Sequence, residues 1–65
     1  MNETHLNNEI YTVVEISELL KVKRLTVIDW IKKGKIKAVR IGRQYRIPKD
    51  YLDEFIKANI VANKS

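Results

Sequence analysis

The chain contains no cysteine. A disulfide framework and a thiolate metal site are therefore excluded. Its only histidine is His5, in a polar N-terminal stretch. One imidazole builds neither a zinc site nor a histidine-based triad, and no nucleophile–base pair stands out elsewhere. The expectation is a protein that is not an enzyme and holds no metal or other cofactor. Glycine is scarce, with only Gly34 and Gly42, and Pro48 is the single proline. Long hydrophobic runs are also missing. The longest stretch without Asp, Glu, Lys or Arg is six residues, from Ala58 to Asn63. Nothing here crosses a bilayer, and no charged n-region with an apolar h-region opens the chain. A reducing cytosol with no membrane partner is the expectation.

What is present is a basic middle. The 65 residues carry 13 Lys+Arg and 8 Asp+Glu, a net charge of +5. Between Lys21 and Lys49 stand eleven basic residues and one acid, Asp29, a net +10; the remainder is −5. A basic centre between acidic ends favours a polyanion on one face, although a solvated lysine-rich surface has the same composition. The length allows one small domain.

Residues 1–10 are polar and aperiodic and read as a flexible arm, with the folded domain over 11–61 and a tail over 62–65. Thr12-Val13-Val14-Glu15 has capping-box spacing, and Tyr11 and Ile16 occupy the staple positions. Val13, Ile16, Leu19 and Leu20 recur at helical spacing. A second helical pattern runs from Arg24 to Lys33 and stops at Gly34, a good residue past a helix end. The intervening Lys21-Val22-Lys23 is too short to separate the helices, which makes a helix-turn-helix unit or an ordinary helical hairpin.

Stepping about 100° per residue from Arg24, Val27, Trp30 and Ile31 share an inward stripe. Leu25, Ile28, Asp29, Lys32 and Lys33 lie opposite. Exposed Leu25 and Ile28 are candidates for thymine methyl contacts, the alternative for Ile28 being packing beneath the next element. Asp29 either accepts from a cytosine amino group or holds Lys32 or Lys33 at i+3 or i+4.

After Gly34 the period changes. Ala38–Ile41 and Gln44–Ile47 flank Gly42-Arg43 and read as a two-stranded β-hairpin. Alternation within each strand suggests that Arg40 and Arg46 share a face, with Arg43 at the tip. Pro48 and Asp50 open a last helix, in which Leu52, Phe55, Ile56 and Ile60 fall at helical spacing, fading near Val61. The expected core is Val13, Ile16, Leu20, Val27, Trp30, Ile31, Leu52, Phe55 and Ile56. The fold class is α+β: a small winged helix-turn-helix, with a hairpin wing and a C-terminal helix.

Such a domain sets a helix in the major groove and a wing against an adjacent backbone or minor groove. The candidate DNA-binding residues are Lys23, Arg24, Leu25, Ile28, Lys32 and Lys33 on the second helix. Lys35, Arg40, Arg43 and Arg46 are the candidates on the linker and wing. Arg43 suits a narrow minor groove.

From Tyr11 to Ile56 the chain resembles the excisionase-family DNA-binding domain, a small relative of the MerR-type winged helix. The matching words are Tyr11-Thr12-Val13 with Glu15 and Leu19-Leu20, Thr26-Val27 with Trp30-Ile31, and Gly34-Lys35. The most specific are Ala38-Val39-Arg40-Ile41-Gly42-Arg43 with Tyr45-Arg46-Ile47-Pro48, followed by Leu52 and Phe55-Ile56. The resemblance implies sequence-specific binding of double-stranded DNA. It also implies an excisionase role: bending phage or mobile-element DNA, with further copies of itself, to steer an integrase (a tyrosine recombinase) toward excision. A small transcription regulator is the alternative, and a basic RNA- or protein-binding module is a third reading. No small-molecule substrate is implied, and the location is cytoplasmic, on a prokaryotic nucleoid or phage DNA. Three residues depart from the family pattern. Lys21 replaces a turn glycine, Lys23 replaces a Ser/Thr N-cap and offers a charge to phosphate, and Asp29 replaces a basic or polar residue.

Overall fold

A computed structural model describes residues 9–61. The expected tail at 62–65 and all but the end of the expected arm lie outside these residues. The order is β1 (Ile10–Thr12), α1 (Val13–Leu20), α2 (Arg24–Lys32), β2 (Val39–Ile41), β3 (Gln44–Pro48) and α3 (Lys49–Ala58). Three helices and a three-stranded antiparallel sheet make a small winged helix-turn-helix domain.

The sheet order is β1-β3-β2, so the hairpin gains a third strand. Ile10 pairs with Pro48, Tyr11 with Ile47 and Thr12 with Arg46. Ile10 therefore belongs to the sheet rather than to an arm. The strand is legible only in pairing, because three residues are too few to show alternation. The Glu9 carbonyl extends the tie by accepting from the Lys49 amide at 2.8 Å.

Thr12 ends β1 and caps α1. Its hydroxyl accepts from the Glu15 amide at 3.0 Å, and the Glu15 carboxylate accepts from the Thr12 amide at 2.9 Å. Two of the amides that lack partners at a helix start are thus satisfied. At the other end Lys21 takes φ 60°, the left-handed region that glycine enters without strain. That conformation lets the Val22 amide reach back to the Ser17 carbonyl at 2.9 Å and closes the turn. Buried Ser17 is satisfied through its hydroxyl, which donates to the Val14 carbonyl at 2.7 Å.

α2 ends in a Schellman arrangement. The Lys35 amide donates to the Trp30 carbonyl at 2.8 Å and the Gly34 amide to Ile31 at 3.1 Å. Gly34 supplies the required positive φ of 75°. This turn directs Ile36 inward.

The core is Ile16, Val27, Ile36, Ile47 and Leu52, with Tyr11, Val13, Leu20, Val22, Trp30, Ile31, Ala38, Tyr51 and Phe55 packed around it. Trp30 and Phe55 join α2 to α3, their ring centroids 4.8 Å apart. Ile36 and Ile47 were absent from the expected core. A lone isoleucine between Lys35 and Lys37 has no periodicity to mark it, and Ile47 is recognisable only once β1 covers its strand. Ile56 is a correction in the other direction. It is 41% exposed, because Tyr51, Leu52 and Phe55 take the inward face of α3. α3 also stops at Ala58, short of the expected end, so Ile60 and Val61 lie beyond it and are exposed.

Candidate nucleic-acid interface

The second helix of the unit, α2, presents the outward face expected from its sequence. Arg24, Leu25, Asp29, Lys32 and Lys33 are exposed, whereas Val27 is fully buried and Trp30 and Ile31 are half-buried. Leu25 is 77% exposed, with no core contact to account for an aliphatic at that position. Ile28 is half-buried yet stands outside the core cluster, at the margin between the two faces.

The start of α2 differs from that of α1. Lys23 holds the N-cap position in an extended conformation (φ −75°, ψ 151°) and makes no side-chain cap hydrogen bond. The Lys23 carbonyl accepts from Thr26 and Val27. No acid stands in the first turn. The helix therefore begins with a cation that stands outside the ion pairs of the described residues, and with backbone dipoles pointing outward, an arrangement that suits an anion. Asp29 makes an i,i+4 ion pair with Lys33 at 3.2 Å. That pair takes up the one carboxylate of the basic segment and leaves Lys32 and Arg24 outside the ion pairs of the described residues. Lys35 is exposed just past the helix.

The wing is β2, Gly42-Arg43 and β3. Gly42 has φ 64° and Arg43 does not share a positive φ, the pattern of a type II′ turn. Arg43 is exposed at the apex. The register pairs Val39 with Arg46, Arg40 with Tyr45 and Ile41 with Gln44. Residues directly opposite one another share a face. Arg40 and Arg46 are thus on opposite faces, which corrects the expectation that they share one. The reason is the two-residue loop: across it, an even-numbered residue opposes an odd-numbered one. The inner face carries Tyr11, Ile47, Tyr45 and Arg40, and the Arg40 guanidinium lies over the Tyr45 ring at 5.5 Å. The outer face carries Arg46, Val39, Ile41 and Gln44. Arg46 is half-buried and donates to the Tyr45 carbonyl at 3.2 Å. The wing thus offers cations on both sides and at its tip, and no acid.

Acidic groups gather on other elements. Lys49 donates to Asp53 at 3.0 Å, and that bond, with the carboxylate charge, raises the Lys49 pKa above the ordinary lysine value. The Tyr11 hydroxyl donates to Glu9 at 2.8 Å, which raises its pKa above the usual phenol value. Lys37 lies 3.8 Å from Glu54 and over the Tyr51 ring at 5.8 Å. Among the described residues no group of three or more His, Cys, Asp or Glu side chains could hold a metal ion. No helix among them is long and apolar enough to cross a membrane.

Comparison with known proteins agrees with this geometry. Residues 10–60 match the family model described as "Helix-turn-helix domain". The chain is 47% identical over 55 residues to "Uncharacterized protein YvgK" of Bacillus subtilis, covering 85% of this chain and 17% of that one. It is 36% identical over 39 residues to "Putative DNA-binding protein Rv0500A" of Mycobacterium tuberculosis, covering 60% and 50%. It is 37% identical over 54 residues to "Magnetosome protein MamR" of Magnetospirillum gryphiswaldense, covering 83% and 64%. The chain thus spans less than two thirds of the length of each of these relatives. No solved structure matches. With two short helices across a tight turn, a basic wing and a family match over nearly all described residues, the chain belongs to the helix-turn-helix domain family.

Proposed function

We propose that the protein binds duplex DNA sequence-specifically, with α2 in the major groove and the wing in the flanking minor groove. The carrying observation is the acid-free hairpin with Arg40, Arg43 and Arg46, set beside a helix whose outward face is basic and aliphatic. Lys23, Arg24, Lys32 and Lys35 neutralise phosphates, and Lys33 joins them when its pairing with Asp29 gives way. Leu25 and Ile28 meet base edges, and Arg43 enters the minor groove. Arg40 and Arg46 hold the two sides of the wing against the backbone. Binding and bending constitute the activity; no bond is made or broken.

Its role in this reading is that of an excisionase, acting in the cytoplasm on phage or mobile-element DNA. Further copies of the chain bind alongside it, and an integrase of the tyrosine recombinase class is its protein partner. The wing words shared with the excisionase family support this. A transcription regulator with the same binding mode is the second reading.

Selection of bound sites from random and mobile-element duplexes tests both. Repeated sites flanking an integrase core site, and stimulation of excision in a reconstituted reaction, are expected. A site confined to promoters, with no effect on excision, establishes the regulator instead. Affinity for the selected site should fall steeply with salt, as phosphate contacts require. Arg43→Ala should weaken binding about tenfold without moving Tm. Salt-independent binding would contradict the whole scheme.

A further inference from the structure

The last rung of the wing has an unusual composition. Ile41 ends β2 directly opposite Gln44, immediately below the Gly42-Arg43 turn. The register places both on the outer face, away from Ile47, Tyr45 and the core. Ile41 is 57% exposed. It cannot reach the core without flipping the strand, and its neighbours in sequence are Arg40 and Gly42. A wing resting only on phosphates would have no use for an aliphatic there.

If Arg43 occupies the minor groove, this rung follows it in. Residues in a strand rise about 3.3 Å each, so Ile41 and Gln44 sit one step below the apex. The minor groove is about 7.5 Å deep. The rung therefore faces the groove floor and walls, not the phosphates. On that floor, A·T and T·A pairs present only acceptors, whereas G·C adds the guanine amino donor. An isoleucine pressed on the floor leaves that donor without water or partner, which penalises G·C. The Gln44 amide can donate to the adenine N3 and thymine O2 acceptors. An aliphatic at a flexible step also acts as a wedge that unstacks the bases and bends the duplex.

We infer that the Ile41–Gln44 rung reads the minor groove flanking the α2 site, selecting A·T over G·C there and levering the bend. The inference rests on the DNA-binding reading above and adds to it a residue-level source of specificity.

The test uses the selected site with its wing flank built from A·T, G·C or inosine·C pairs. Inosine·C shares the major groove of G·C but lacks the guanine amino group. For the native chain, A·T and inosine·C flanks should bind alike, and G·C about tenfold more weakly. Ile41→Thr keeps a β-branched strand residue and should remove most of the G·C penalty. It should also reduce the bend measured by end-to-end energy transfer, with Tm unchanged. Gln44→Ala should weaken the A·T and inosine·C complexes selectively. Arg43→Ala should weaken all three about equally, and this arm reports whether the wing touches DNA at all. If Arg43→Ala weakens binding while Ile41→Thr leaves the penalty and the bend intact, the rung inference is wrong and the DNA-binding reading stands. If native binding ignores the flank and Arg43→Ala has no effect, both fail. An inosine·C flank that behaves like G·C would also overturn the inference, since the discrimination would then lie in the major groove.

Discussion

α1 and α2 are neighbours of nearly equal length, yet they are finished differently. α1 begins with a reciprocal capping box and keeps an acid in its first turn. α2 begins at a lysine with no side-chain cap and has no acid in its first turn, although each helix has one fully buried aliphatic, Ile16 or Val27. Each feature missing from α2 would have stabilised an isolated helix by a fraction of a kcal/mol to about 1 kcal/mol. The first helix is built for the fold. The second gives up local stability at the surface where a polyanion would supply the missing charge.

The largest perturbation should break the apparent simplicity of that division. Trp30 lies on α2 but faces Phe55 and the core. Trp30→Ala should destabilise the domain by about 3–5 kcal/mol, enough to abolish cooperative unfolding in a chain of this size. A variant that melts normally and loses only DNA binding would mean the two faces of α2 are assigned backwards.

A pair of cap substitutions sharpens the comparison. Thr12→Ala should lower stability by about 1 kcal/mol and Tm by roughly 4–8 °C, with DNA affinity at saturating fold unchanged. Lys23→Ser should do the opposite, raising Tm by a similar or smaller amount and weakening DNA binding severalfold. Matching responses of the two caps would remove the distinction between the helices.

The smallest effect is expected at Asp29. Its ion pair with Lys33 is exposed, and such pairs contribute little to stability. Asp29→Asn should leave Tm nearly unmoved while freeing Lys33, so that affinity rises about two- to threefold at low salt and the gain disappears at high salt. A drop in affinity would indicate that the carboxylate contacts a base.

Much of this was legible in the residues. The capping box, the glycine stop at Gly34, the hairpin around Gly42-Arg43 and the inward stripe of α2 all depend on neighbours within four positions. What escaped depends on partners far along the chain. β1 exists because Ile47 and Pro48 are there to pair with it. Ile36 is buried because the turn after α2 aims it inward. Arg40 and Arg46 part company because of cross-strand register, which alternation within one strand does not reveal. Lys21 illustrates the reverse case: a lysine where glycine is usual announces strain, and the structure places it at φ 60°.

The double duty of Ile10–Thr12 has a kinetic side. The hairpin joins residues a few positions apart, whereas the β1–β3 pairing closes a loop of more than thirty residues, from Thr12 to Arg46. Hairpins form within microseconds, and closure of longer loops comes at a greater entropic cost. β1 is therefore expected to dock late in folding and to leave early in unfolding. When it leaves, the sheet loses an edge and α1 loses its cap in the same event. Wing and first helix then share one opening reaction, and amide exchange at Ile47, whose pairing partner is Tyr11, and at Glu15 should report it with a common free energy.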